Sequence, residues 1–201
     1  AAVLTDEDGF NFAKKIFTAF KVESKYPICI SGNPIRKSIL NIKKNYNKTT
    51  VKINVLVIGG SLGARRINEL VAAQVEFFKR HSLQVIWQCG ALYFEKYKKF
   101  AQEDVVVRPF VYEMEQLYTA SDVIISRAGA GSISELSCVG KPLLLIPSPN
   151  VTANHQFHNA QALVKKGAAL LLEERELDSK FQEVFSTLIT NNTLNKEMQR
   201  E

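Results

Sequence analysis

A chain of 201 residues, 46% hydrophobic and 23% charged, has the balance of a globular protein that buries a core, in one large domain or one and a half small ones. The net charge of +6 favours polyanions: nucleic acid, anionic headgroups or phosphorylated substrates. Yet the Lys-Lys pairs at 14–15, 43–44, 98–99 and 165–166 are scattered, with no dense basic run interleaved with aromatics, so nucleic acid is not expected as a partner.

The first fifty residues read differently from the rest. "AAVLTDEDGF" opens without an initiator Met, which marks the chain as an expected piece of a longer protein. "GFNFAKKIFTAFK" (9–21) predicts a helix, "YPICIS" (26–31) a strand, and "GNPIRKSIL" (32–40) a turn entering a helix. "NIKKNYNKTT" (41–50) is polar and turn-rich, a linker. Residues 1–50 are thus assigned as the remnant of a preceding domain plus linker, and 51–201 as the main domain.

From Val51 onward, apolar runs alternate with helical periodicity. Strands are predicted at 53–58 ("INVLVI"), 83–90, 103–110, 121–129, 141–147 and 168–173. Between them, Ile67, Leu70, Val71, Val75 and Phe78 mark one helix, and Met114, Leu117 and Tyr118 a short one. A helix from Ser132 carries Ile133, Leu136 and Val139 and stops at Gly140. Another carries Phe157, Ala160, Leu163 and Val164 to Gly167, and Phe181 to Ile189 form the last. Strands apolar on both faces and separated by helices predict an α/β fold: a Rossmann-like parallel sheet with helices on both sides. Ligands of such sheets sit beyond the carboxyl ends of the strands.

Cys29, Cys89 and Cys138 are odd in number, widely spaced and without zinc-like spacing, so reduced thiols and a cytoplasmic setting are expected. No signal peptide and no bilayer-length apolar run is present.

Three post-strand loops carry chemistry. "GGSLGA" (59–64) places glycines where an anion approaches a helix N-terminus, with the Ser61 hydroxyl nearby; a tight strand-to-helix turn explains the same residues. It is neither G-x-G-x-x-G, since "WQCG" stands where an acid should end the second strand, nor a P-loop. "SRAGAGSISEL" (126–136) repeats the device. There Ser132 and Glu135 have the spacing of a capping box, which by itself accounts for Glu135; the competing role is a bidentate grip on two ribose hydroxyls. "PSPNVTANHQFHNA" (147–160) gathers Asn154, His155, Gln156, His158 and Asn159 at a helix start, which suits sugar hydroxyls or a solvated cap. No third ligand accompanies the two histidines, so no metal is expected there.

"GNPIR" (32–36), "GGSLGARRIN" (59–68), "SRAGAGSISEL" (126–136) and "NHQFHNA" (154–160) stand in the order and spacing of the MurG family. From about Ser31 the chain resembles the C-terminal half of these UDP-N-acetylglucosamine:undecaprenyl-pyrophosphoryl-muramoyl-pentapeptide N-acetylglucosaminyltransferases of peptidoglycan synthesis. The resemblance implies half of a two-domain GT-B fold, with the UDP-sugar donor held in this half. The acceptor site and the catalytic base are expected in the other half, of which residues 1–50 would be the remnant, and no catalytic residue is named in this chain. Carried over by motif, Arg36 would lie near the nucleotide. Gly60, Ser61 and Gly63 would face the diphosphate, with Ala130, Gly131 and Ser132 lining its second loop. Val111 would pair its backbone with uracil, standing where the family often has Ile. Glu135 would hold the ribose, and Gln156 with Asn159 would read the N-acetylglucosamine hydroxyls. His155 stands where some members have a second Gln, and Leu62 replaces a common Gln.

The implied reaction is inverting, metal-independent transfer that converts lipid I to lipid II, with no cofactor. The implied partners are UDP-N-acetylglucosamine, a lipid-linked acceptor and an anionic membrane surface, with the protein peripheral on the inner face of the cell membrane. Asp6-Glu7-Asp8 matches the Asp-x-Asp string of metal-dependent transferases but sits in a polar leader and reads as a solvated turn. "FAKKIFTAFK" (12–21) reads as a helix packed on a neighbouring domain, with lipid contact the alternative. Three other readings stay open: a stand-alone donor subunit with a membrane partner, as in the split dolichol-pathway enzymes that "SRAGAGSI" resembles; a non-catalytic nucleotide-binding or interaction domain; and a nucleotide-sugar epimerase.

Overall fold

The computed structural model describes residues 16–18, 27–42, 52–151 and 154–199. Six apolar runs pair side by side: β3 (Ile53–Ile58), β4 (Leu83–Gln88), β5 (Val105–Arg108), β6 (Val123–Ser126), β7 (Leu143–Leu145) and β8 (Leu170–Leu171). Every pairing is parallel, in the spatial order β5-β4-β3-β6-β7-β8. The sheet starts in the middle, runs to one edge, then returns to the middle and runs to the other, which is the doubly wound Rossmann order.

Alternation along the strands divides the core in two. Val55, Val57, Val85, Trp87, Val105, Val107 and Ile125 face a cluster built from α2 (Arg65–Ala73), α3 (Val75–Arg80) and α8 (Leu177–Thr190). There Phe77, Phe78, Phe181 and Phe185 pack edge to face, and Phe181 stacks on Phe185 with centroids 5.2 Å apart. Leu56, Ile58, Ile124, Leu143 and Leu145 face the other side. It is covered by α1 (Lys37–Leu40), α5 (Met114–Ala120), α6 (Ala130–Val139) and α7 (His155–Lys165) through Ile39, Tyr118, Ile133, Leu136, Val139 and Ala160. Helices therefore lie on both faces, as the sequence pattern requires.

Several elements differ from their sequence expectation. Ile16–Thr18, inside the expected helix 9–21, is strand β1, paired in parallel with β2 (Ile28–Ile30). An Ile-Phe-Thr run suits a strand, and a neighbouring strand decides against local helical periodicity; the rest of 9–21 lies outside the described residues. The helix expected from Ile67 to Phe78 is two, broken at Gln74, whose φ of −103° and ψ of 6° leave the helical region. β8 keeps only two residues of the expected 168–173. Glu173 turns the chain into a single-turn helix, Glu174–Glu176, closed by a capping box between Glu173 and Glu176. Helix α4 (Phe94–Tyr97) and the terminal helix α9 (Asn192–Met198) carry no strong periodic signal in sequence. Asp6–Asp8 and 43–50 lie outside the described residues.

The piece that follows β2 does not stand apart from the sheet domain. Ile39 is 1% exposed in the second cluster, and Asn33 Nδ2 donates to Ala130 O and to Ser134 Oγ, both at 2.9 Å. Residues 33–42 thus dock on α6.

Candidate functional site

β3 and β6 are neighbours at the centre of the sheet, and the chain leaves them toward opposite edges. This switch point opens a crevice beyond their carboxyl ends. Both glycine-lined loops emerge there: 59–64 after Ile58 and 127–129 after Ser126, two residues that pair in register. Each loop feeds a helix directly. The N-caps of α2 and α6 are Ala64 and Gly129, and neither helix has a side-chain cap. Their first-turn amides, with the positive end of each helix dipole, are therefore available to an anion in the crevice.

This start of α6 overturns the capping box expected at Ser132–Glu135. The helix begins at Ala130, so Ser132 lies within the first turn and Glu135 beyond it. The Ala130 carbonyl at this start accepts from Asn33 Nδ2 at 2.9 Å and from Ser134 Oγ at 3.0 Å, and Gly129 rather than Ser132 is the N-cap. Glu135 is thereby released from capping. It shares a helical face with Gly131 and Ser132, four and three residues before it. Its side chain is 24% exposed; Oε1 lies 3.5 Å from Arg36 Nη2, and Oε2 accepts from the Tyr118 hydroxyl at 3.3 Å. Arg36 is itself 52% exposed, so at this separation the ion pair is worth no more than about 1 kcal/mol. Ligand groups compete with it readily. Tyr118 is 2% exposed; burial, and then the Glu135 charge, push its phenol well above the ordinary tyrosine range.

The 59–64 loop divides into residues that shape it and residues it presents. The Gly63 amide donates to Gly60 O at 3.0 Å, closing a turn, and Gln88 Nε2 donates to the same carbonyl at 2.9 Å. Gln88 ends β4, where a nicotinamide-binding fold would carry an acid; here that position braces the loop. Behind it, Asn68 bridges Trp87 and Cys89: Trp87 Nε1 donates to Asn68 Oδ1, and Asn68 Nδ2 to Cys89 O, both at 2.8 Å and fully buried. Ser61 and Leu62 remain exposed at the tip.

Val111 follows β5 and is buried, 4% exposed as a whole residue. Its main-chain N–H and C=O make no hydrogen bond to another described residue.

The 154–160 motif does not present all its amides. Gln156 Oε1 accepts from Ser148 N at 3.0 Å, and Asn159 Nδ2 donates to Ala128 O at 3.1 Å. Both braces hold neighbouring loops, and neither Gln156 Nε2 nor Asn159 Oδ1 bonds to another described residue. His155 is exposed at the start of α7. Among the described residues, no three His, Cys, Asp or Glu side chains cluster as a metal site.

Four contributors escape sequence reasoning: Tyr118, Asn33, the Asn68 bridge and Arg127. Arg127 Nη1 donates to Ile146 O at 3.1 Å, and its Nη2 pairs with Glu174. The pair joins the loops after β6, β7 and β8. The only signal in sequence was the "SR" following the fourth apolar run.

Comparison with known proteins gives the family. The family model described as "Glycosyltransferase family 28 C-terminal domain" matches residues 54–201. Two relatives carry the name UDP-N-acetylglucosamine–N-acetylmuramyl-(pentapeptide) pyrophosphoryl-undecaprenol N-acetylglucosamine transferase. That of Flavobacterium psychrophilum is 42% identical over 94% of this chain and 54% of its own length. That of Christiangramia forsetii is 45% identical over 84% of this chain and 49% of its own length. The crystal structure of Acinetobacter baumannii MurG superposes with a TM-score of 0.69 at 27% identity, covering 94% of this chain and 55% of that one. The chain spans about half the length of the curated relatives it matches. Its sheet is one Rossmann-like half of a GT-B fold. The chain belongs to the glycosyltransferase family 28 C-terminal domain family.

Proposed function

We propose that the chain is the donor-binding half of an N-acetylglucosaminyltransferase that takes N-acetylglucosamine from UDP to the undecaprenyl-linked muramoyl-pentapeptide, lipid I to lipid II. The observation that carries this reading is the pair of uncapped helix starts at the switch point with Glu135 beside one of them. In this reading the first-turn amides of α2 and α6, with Ser61 and Arg36, receive the diphosphate. Glu135 takes the ribose hydroxyls, Val111 the uracil edge, and Gln156 with Asn159 the sugar. His155 flanks that last pair.

The chemistry follows from the charges. The acceptor hydroxyl attacks the anomeric carbon from the face opposite the leaving group, inverting it, while negative charge collects on the departing diphosphate. Fixed amide dipoles and the Arg36 guanidinium stabilise that charge without a metal. The base that takes the acceptor proton is assigned to the other half of the enzyme, so the 201-residue chain binds donor and does not transfer it. No helix among the described residues is long and apolar enough to cross a membrane. A lipid-linked acceptor would bring the whole enzyme to the inner face of the cell membrane as a peripheral protein.

Calorimetry with UDP, UDP-N-acetylglucosamine and UDP-glucose tests the reading. UDP binding, tighter for the N-acetylglucosamine ester than for the glucose ester, is expected. Glu135→Ala is expected to weaken UDP by about 100-fold or more, the loss of two hydrogen bonds to a charged group. Absence of UDP binding would leave a non-catalytic interaction domain as the better account.

A further inference from the structure

We propose that Tyr118 is the positioning residue of this donor site: its buried hydroxyl holds the Glu135 carboxylate in the one orientation that meets two adjacent ribose hydroxyls. The proposal rests on the donor-site reading above.

The donor and acceptor are unambiguous. An ionised carboxylate only accepts, so the 3.3 Å contact runs from the Tyr118 hydroxyl to Glu135 Oε2. Tyr118 belongs to the second core cluster with Ile39, Leu56, Ile124, Ile133 and Leu136, and a close-packed core allows its ring no second position. The backbone beneath it is fixed as well, because Ser121 Oγ donates to Tyr118 O at 3.1 Å. Raised above its ordinary value by burial and by Glu135, the phenol stays a donor throughout the neutral range.

Arg36 does not do the same job. It approaches Oε1 at 3.5 Å from a half-exposed, long side chain, so it supplies charge but little direction. Tyr118 occupies one of about two lone-pair positions on Oε2, which leaves acceptor capacity on both oxygens for a pair of vicinal hydroxyls. Without the hydroxyl, Glu135 regains rotamer freedom that the ligand must then remove.

The test is calorimetric titration of the 201-residue chain with UDP and with 2′,3′-dideoxy-UDP, which keeps the base and diphosphate but lacks both ribose hydroxyls. Tyr118→Phe is expected to weaken UDP about tenfold, the scale of a hydrogen bond to a charged group, and to leave dideoxy-UDP within about twofold. On a Glu135→Ala background the same substitution is expected to add nothing. Equal losses for both ligands would make Tyr118 a packing residue and overturn the proposal. So would an unchanged UDP affinity, or a full tenfold loss persisting in the double variant. A wild-type chain that ignores UDP, or binds both ligands alike, refutes the donor-site reading itself and this proposal with it. That failure shows before any substitution is made.

Discussion

Gly63 and Gly90 lie main chain against main chain: a Cβ on Gly90 would fall 2.7 Å from Gly63 Cα, and one on Gly63 would fall 2.1 Å from the Cys89 carbonyl oxygen. The loops after β3 and β4 are therefore one packed unit. At φ of 79° Gly63 is also in the left-handed region. Gly63→Ala should destabilise the domain by about 3 kcal/mol or more, combining left-handed strain with overlap on rigid backbone. Urea unfolding measures it.

Gly131 makes the opposite case. It lies in the first turn of α6 with nothing within 4 Å of where a Cβ would sit. Gly131→Ala should raise stability by about 0.5–1 kcal/mol, the helix preference of Ala over Gly. If the diphosphate approaches there, the same methyl should weaken UDP by about tenfold or more. Stability and affinity moving in opposite directions would separate a binding glycine from a folding one. A variant that binds UDP normally would remove Gly131 from the site.

Asn68 is the single side chain between Trp87 Nε1 and the Cys89 carbonyl. Asn68→Ala strands a buried donor and a buried acceptor together, at a cost of about 2–4 kcal/mol. Chemical denaturation should show the loss, and the fluorescence of Trp87, the one tryptophan, should shift in the native state.

Arg127 and Glu174 are 12% and 18% exposed, so solvent screens their pairing poorly. Glu174→Ala should cost about 3 kcal/mol, the low end for breaking a buried pair, because among the described residues a mostly buried guanidinium then keeps only its bond to Ile146 O. The deficit should persist at high salt, unlike that of the exposed Lys180–Glu176 pair.

Tyr118 also sets an alkaline limit. Its phenol is raised in the folded state, so above the ordinary tyrosine range the unfolded chain has released a proton that the fold retains. The unfolded state then binds fewer protons, and stability falls as pH rises. The contribution is whole below pH of about 10 and declines above it by about 1.4 kcal/mol per unit, the value for one proton. Tyr118→Phe removes this part of the slope, so the difference between wild type and variant, followed by unfolding from pH 8 to 11.5, isolates it. Parallel curves would refute it.

The fold class was legible because its information is local. A strand buried on both faces must be apolar throughout, as "INVLVI" is, and each helix must carry its stripe at 3.6-residue spacing. The loops that follow strands could therefore be named in advance, along with the motifs they hold. What sequence left undecided was who partners whom. The Ser132–Glu135 spacing fitted both a cap and a ribose ligand, and only the structure, which puts the N-cap at Gly129 and Asn33, 97 residues away, on Ala130 O, frees Glu135 from the capping role. Local helical spacing around Ile16 gave way to a strand because Ile28–Ile30 lies beside it. Tyr118 read as one more apolar helical position until packing brought its hydroxyl to a carboxylate on another helix. Periodicity records which face of an element is buried; it does not record what waits on the other side, and the chemistry of this crevice lies in those long-range meetings.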